Sequence, residues 1–313
     1  MYRQLCVEEK SIPIFSQDWW LDSLVGPENW DVVLVENGGQ IQASIPYVIR
    51  KRFGLTTLVM PPLTQTLGPW LRESPPGTKH SQRLAREKDL AGELFDQLPF
   101  HDYFAQNFSP EITNWLPWHW KGYQQTTRYT YRLEDLLDLG KIWDGLQTKI
   151  RGDIRKAEKQ GVEIVTDMTI ENFLPLNKMT FKRQGEILPY SKDLVRRLDS
   201  ICVEKTARKI FIARDQEGRY HAGVYLVYTN HAAYNLMIGG DPELRNSGAT
   251  SLAMWEAIKF SSTVTKTFDF EGSMIEPVER FFRGFGARLV PYFSIWKHNT
   301  LRSRIFQTIR KII

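Results

Sequence analysis

The chain has 313 residues, more than one ordinary domain, and its 42% hydrophobic and 25% charged residues describe a globular chain with a core rather than a disordered one. A net charge of +5 suits an anionic partner such as a nucleotide, a phosphate-bearing lipid head group or tRNA, but is too small to diagnose nucleic-acid binding. Cys6 and Cys202 are far apart and form no CxxC pattern, which argues against a disulfide framework and a structural zinc site.

In chain order, the polar start Met1 to Lys10 lacks the apolar core of a signal peptide. No run of about 18 apolar residues follows, so a cytoplasmic chain is expected. Asp18 to Leu24 predicts a short helix, and Asp31–Glu36 and Gln40–Lys51 predict a hairpin about Asn37-Gly38-Gly39. A strand over Leu55–Met60 ends at Pro61-Pro62, a long loop spans Leu63–Gly77, and a helix is expected over Ser81–Leu98. Strands are expected at Asp102–Asn107 and Arg128–Leu133. Trp115, Trp118 and Trp120 crowd NWLPWHWKGY, where rings stack on sugar faces or fill an interface equally well. The second half predicts a helix over Leu136–Gln160 capped by Gly161, a strand at Val162–Val165, and helices at Ile170–Arg183 and Lys192–Ala207. Strands at Lys209–Arg214, His221–Tyr228 and Ala232–Ile238 follow, then a helix (Ser247–Ser261), a strand (Thr267–Phe270), a short helix (Pro277–Arg283) and a strand (Pro291–Lys297). This is an α/β chain of two domains, 1–135 and 136–313.

The sharpest local signal is Arg245-Asn246-Ser247-Gly248-Ala249-Thr250, between a predicted strand and a predicted helix. A small-residue loop opening a helix presents backbone N–H groups and the positive end of the dipole to a phosphate or pyrophosphate. Arg245 adds charge, and Gly248 and Ala249 allow close approach of backbone. As a bare pattern, an ordinary strand-to-helix turn remains equally open.

The order strand, R-x-x-G-x-small, helix, strand is similar to the acyl-CoA-binding motif of the GNAT acyltransferase superfamily. DFEGS (Asp269 to Ser273), ERFFRGFGA (Glu279 to Ala287), IRGDIRKAEKQGVEI (Ile150 to Ile164), and the pairing of PPLTQTLGPW with WHWKGYQ and RYTYRL resemble the FemAB-like, peptidoglycan-bridge branch. The resemblance implies two tandem GNAT-like domains, each a twisted mixed sheet flanked by helices. It also implies an acyl or aminoacyl transferase forming an amide on a cell-envelope precursor or other glycan. The donor is then acyl-CoA or aminoacyl-tRNA, with no metal, and sits against Arg245, Asn246, Ser247, Gly248, Ala249 and Thr250. Thr250 departs from the small residue usual at the sixth motif position. The alternatives are an acyl-CoA-dependent N-acetyltransferase on a nucleotide sugar or small amine, and a non-catalytic module binding RNA or glycan.

Transfer to an amine needs removal of a proton and stabilisation of a tetrahedral oxyanion. Asp269 and Glu271, two apart on a predicted strand, share one face and are the candidate bases. A cap of the next helix, or pairing with Arg280 or Arg283, is the alternative. Tyr234 and Asn235 precede the loop as hydrogen-bond candidates. Arg280 and Arg283 are expected at an acceptor's phosphates or carboxylates. Arg151, Arg155 and Lys156, on the basic helix, form a candidate wall for phosphates. Replacing Arg245 or filling Gly248 is expected to weaken donor binding more than folding. Leu301, Ile305, Ile309 and Ile312 share one helical face, with Arg302, Arg304, Arg310 and Lys311 mostly elsewhere. Such a helix suits either docking on the protein or peripheral contact at the inner face of a membrane.

Overall fold

The computed structural model describes residues 1–272 and 274–312, with side chains up to residue 306. Ser273 of the DFEGS run and the side chains of Ile309, Arg310, Lys311 and Ile312 lie outside the described residues. The chain forms two compact units, Met1–Arg128 with Pro291–Ile313, and Tyr129–Val290.

The first unit opens with α1 (Tyr2–Glu8), a 3-10 turn (Ile14–Ser16) and α2 (Asp18–Val25). Strands β1 (Trp30–Asn37) and β2 (Gln40–Arg52) pair antiparallel about Gly38-Gly39, with φ of 59° and 77°. Glycines meet the positive angles that a two-residue primed turn requires. β3 (Leu55–Val59) pairs antiparallel with β2 across a second two-residue turn, Phe53-Gly54. Within the expected loop, β4 (Trp70–Leu71) adds two residues to β2. α3 (His80–Asp96) then crosses to β5 (Tyr103–Asn107), which runs parallel to β3. The short helix α4 (Leu116–Trp120), absent from the sequence reading, carries Pro117 in its first turn, where the missing N–H is harmless. Of the tryptophan run, Trp118 is core, buried against Phe95 and Phe108, whereas Trp115 is half-buried and Trp120 exposed. β6 (Gln124–Leu133) carries the chain into the second unit.

There, α5 (Leu139–Gly145) and α6 (Thr148–Lys159) replace the single helix expected over 136–160. Leu146 and Gln147 are extended, and the Gln147 N–H donates to the Gly284 carbonyl instead of continuing the helix. β7 (Glu163–Val165), α7 (Ile170–Arg183) and α8 (Lys192–Glu204) follow. Next come β8 (Arg208–Arg214), β9 (Tyr220–Tyr228), β10 (Ala233–Gly240), a 3-10 turn (Arg245–Ser247) and α9 (Ala249–Ser261). β11 (Phe268–Asp269) and α10 (Glu276–Arg283) complete the unit. Its strands lie in the order β6-β11-β10-β9-β8-β7, antiparallel except for β10 and β11. Ala222, Val224 and Leu226 of β9 cluster with Leu252, Ala253 and Met254 of α9, while the alternate residues Gly223 and Tyr225 meet Phe173 of α7. Alternation along the strand thus sets α9 on one face of the sheet and α7 on the other.

β12 (Arg288–His298) returns the chain to the first unit, and α11 (Leu301–Ile312) follows. Residues Ser294–His298 pair with β5, which is why 291–313 group with the first unit, whereas the sequence reading places them in a domain of 136–313. Both units are mixed sheets flanked by helices, the expected fold class. Among the described residues, no helix is long and apolar enough to cross a membrane.

Candidate functional site

The second unit's sheet opens between β10 and β11. Their parallel pairing covers only Ala233↔Phe268 and Tyr234↔Asp269, after which β10 runs on to Gly240 and the other chain turns away. Leu236 is an extra residue in β10 between the pairs Asn235↔Leu226 and Met237↔Tyr225. Such a bulge leaves one residue outside the ladder and bends the strand. The turn after β11 is tight: Glu271 and Gly272 have φ of 59° and 54°. A Cβ on Gly272 would lie 2.2 Å from the Tyr129 carbonyl oxygen, so no larger residue fits. Glu271 holds a left-handed conformation that costs a non-glycine residue roughly 1 kcal/mol.

This turn separates the two carboxylates expected to act together. Asp269 is fully buried and engaged: Oδ1 accepts from the Thr130 hydroxyl and, at 2.7 Å, from the Glu271 N–H, and Oδ2 accepts from Arg132 Nε at 2.7 Å. Its role is to hold the turn, and the expected alternative partners, Arg280 and Arg283, instead pair with Glu276 and Glu279 on α10. Glu271 is the opposite case. Its Oε1 is buried with no hydrogen-bond partner in the described structure. Burial, and secondarily the Asp269 charge, push its carboxyl well above the ordinary carboxylate range.

Phe268 and Phe270 belong to the core under α9, so Asp269 between them faces the α7 side, as does Tyr234, half-buried and in register with Asp269. Two residues that the sequence did not single out complete this side. The Tyr190 hydroxyl donates to Asn177 Oδ1 at 3.1 Å, and Asn177 Nδ2 donates to the Ile238 carbonyl at 3.1 Å. Burial pushes the Tyr190 hydroxyl to about 12, with the Glu271 charge adding to the effect. A buried asparagine inside α7 was the available signal for this group. Asn235 points instead to the α9 side, and its Oδ1 is also buried without a partner.

The Arg245–Thr250 segment forms the expected entry to α9, with Gly248 at φ 83° as N-cap and no acidic residue in the first turn. Gly248, however, faces α6: a Cβ there would lie 2.1 Å from the Asp153 carbonyl oxygen. Ser247, Gly248 and Ala249 are buried, whereas Arg245 and Asn246 are exposed. The glycine therefore serves helix packing, and filling it strikes folding first, contrary to the sequence expectation.

Beside this loop lies a cavity of about 370 Å³, lined by Lys156, Arg219, His221, Glu243 and Asn246 among others. In it, His221 Nδ1 lies 2.9 Å from Ser247 Oγ, and His221 Nε2 lies 3.0 Å from Asp215 Oδ2. The His221 contact and the Arg219 guanidinium hold the Asp215 carboxyl far below the usual range. His221 is itself an extra residue between the pairs Ala213↔Ala222 and Arg214↔Tyr220, so a second bulge aims it at the loop. This relay ties the β8–β9 turn to the entrance of α9. Sequence separation and dependence on a bulge hid it.

The basic residues expected to bind substrate have partners within the chain. Arg151 donates to the Trp143 and Asp144 carbonyls and so caps α5, Arg155 lies 5.6 Å over the Trp143 ring, and the Lys156 ammonium donates to the Asn246 carbonyl. Lys156 alone of these lines the cavity.

Residues 146–273 match the family model described as an acetyltransferase (GNAT) domain, a span that holds both the opening and the loop. A crystal structure of FemX superposes with a TM-score of 0.71 at 13% identity, covering 98% of this chain and 97% of its own. The C-terminal domain of a putative lysylphosphatidylglycerol synthetase from Agrobacterium fabrum superposes with a TM-score of 0.57 at 13% identity, covering 99% and 97% of the two chains. L-PGS from Bacillus licheniformis gives 0.56 at 12% identity, covering 99% and 95%. No curated protein matches the sequence. Residues 146–273 thus match a GNAT domain, and over its whole length the chain shares the fold of FemX.

Proposed function

We propose that this protein is an acyl- or aminoacyltransferase that forms an amide on a cell-envelope precursor or another glycan, with its chemistry at the opening between β10 and β11. The observation that carries this reading is the buried Glu271 Oε1, without a hydrogen-bond partner, in the turn beside that opening and inside the residues matched by the GNAT domain model. Proteins named FemX and lysylphosphatidylglycerol synthetase share the fold, and the second name is that of an enzyme making an aminoacylated lipid.

The acceptor amine attacks the donor carbonyl; an N–C bond forms and the bond to the leaving sulfur or oxygen breaks. Glu271 takes the proton that the amine loses and returns it to the departing thiolate or alkoxide. An ordinary glutamate is too weak a base for this near neutral pH, and the raised affinity of Glu271 for a proton corrects that. Asp269 acts through Glu271 by fixing the turn, and is a positioning residue. The Tyr234 hydroxyl and the backbone at the Leu236 bulge are the donors that β10 offers to the oxyanion.

The donor's phosphates fit the exposed Arg245 and Asn246 at the start of α9 better than Gly248, which has no open side. Thr250, half-buried in the first turn, borders the same entrance. Acyl-CoA is the donor class usual for a GNAT domain, and aminoacyl-tRNA is the other candidate. Calorimetric titration with coenzyme A and acetyl-CoA decides between them. Binding that Arg245→Ala weakens at least tenfold supports the thioester donor. Absence of binding by the folded protein, with turnover of aminoacyl-tRNA, supports the second. No turnover with either donor overturns the transferase reading.

A further inference from the structure

The charge of this chain is unevenly distributed. Residues 37–72 contain Arg50, Lys51, Arg52 and Arg72 and no acidic residue; residues 291–313 contain Lys297, Arg302, Arg304, Arg310 and Lys311 and again none. These two segments hold nine cations, so the rest of a chain of net +5 is net −4. Both belong to the first unit, and they meet at one place: the Phe53 and Phe306 rings are 5.6 Å apart, and the Gly54 backbone approaches the Arg302 guanidinium.

That place is also apolar and exposed. Phe53 is 67% exposed, Leu301 71% and Ile305 53%. Arg52 lies over the Phe53 ring at 4.9 Å. Asp102, which ties the start of β3 to the start of α11, is buried and accepts from the Thr56 N–H and the Thr300 hydroxyl.

The β2–β3 turn makes the exposure of Phe53 costly. Phe53 and Gly54 have φ of 52° and 69°, so both central turn positions are left-handed. Asn-Gly or Gly-Gly is the ordinary choice there, and the β1–β2 turn of this same unit uses Gly38-Gly39. A bulky aromatic at such a position is strained, and strain of this kind concentrates where a side chain serves a purpose other than stability.

We infer that the Arg50–Gly54 turn and the start of α11 form a basic, apolar platform that docks the protein on an anionic lipid bilayer. The arginines and lysine meet the head groups, and Phe53, Leu301 and Ile305 enter the interface. Exposed aliphatic side chains favour a lipid surface over a nucleic acid, whose backbone offers them nothing.

Co-sedimentation of the full chain with vesicles tests this without donor or acceptor, so its outcome is separate from that of the transferase reading. The protein should pellet with vesicles of phosphatidylglycerol and phosphatidylcholine, and not with phosphatidylcholine alone. Reversing Arg50, Lys51 and Arg52 to Glu should weaken binding on the order of 100-fold, at about fivefold per cation. Phe53→Asn suits the left-handed turn, so it should leave the thermal midpoint unchanged or higher while weakening vesicle binding about tenfold. Wild-type protein that ignores phosphatidylglycerol vesicles, or a Phe53→Asn variant that binds them as the wild type does, overturns the inference. So does tighter binding to an RNA homopolymer than to the vesicles, unchanged by Phe53→Asn.

Discussion

Each unit contains a strand, a crossover helix and a second strand parallel to the first, and the two crossovers end differently. In the first unit, β3, α3 and β5 pair at Thr57↔Tyr103 and Leu58↔Phe104. The chain beyond β3 folds onto the end of β5: the Leu67 and Gly68 N–H groups donate to the Asn107 carbonyl, and Asn107 Nδ2 donates to the Gln65 carbonyl. Gly68 lies against Phe108 so closely that a Cβ would meet its ring at 2.3 Å. The carboxyl next to that pair, Asp102, has both oxygens engaged. In the second unit, β10, α9 and β11 pair over an equally short stretch, and the neighbouring carboxyl, Glu271, is left with a buried oxygen unmatched. Buried polar groups without partners are rare, because each forfeits its hydration. This contrast is what supports placing the proposed site at the second opening.

Substitutions that break this contrast should differ in size. The largest loss is expected from Asp269→Ala, which removes the buried carboxylate that Arg132 Nε meets at 2.7 Å; removing one partner of a buried pair costs about 3–5 kcal/mol, read from denaturant midpoints. Gly248→Ala should follow at about 3 kcal/mol, from a left-handed φ and a contact with the Asp153 carbonyl, and its donor affinity should be measured only where it remains folded. His221→Ala should cost about 1–3 kcal/mol by removing the bridge between Ser247 and Asp215, and should weaken donor binding through the loop it tethers. Arg245→Ala should barely move stability, since an exposed residue away from packing changes it by about 0.5 kcal/mol or less, while donor binding falls. An Arg245→Ala variant that lost stability and kept its donor would reverse the roles assigned to the loop.

Much of the scaffold was legible in the chain. α7 has the limits that the sequence predicts, and Ile170, Phe173, Leu174 and Asn177 fall on one buried helical face behind the Thr169 cap. The central strands were legible as apolar runs between turn residues. The break between α5 and α6 was not, since it depends on Gly284 and Gly286 packing at the junction, far away in sequence. At the site, Asp269 and Glu271 were visible as a pair, but their division into an engaged and an unmatched carboxyl depends on Thr130, Arg132 and two left-handed residues. Arg151, Arg155, Lys156, Arg280 and Arg283 drew attention through charge alone, and a sequence shows charge without showing the carbonyl, ring or carboxylate that meets it.

The measurement that tests the central contrast most directly is thermal stability against pH for Glu271→Gln beside Asp102→Asn. A carboxyl whose proton affinity is raised by folding contributes its full stability below the unfolded value, 4.5 for glutamate, and loses it as pH rises through the raised folded value. Glu271→Gln should therefore match the wild type below about pH 4.5 and exceed it at pH 7 by roughly 1–2 kcal/mol, while transferase activity falls 100-fold or more. Asp102→Asn should lower the midpoint at pH 7, because it disturbs two satisfied hydrogen bonds. A Glu271→Gln variant less stable than the wild type at neutral pH would mean that its carboxylate already has a partner, and would contradict the assignment of this opening as the site.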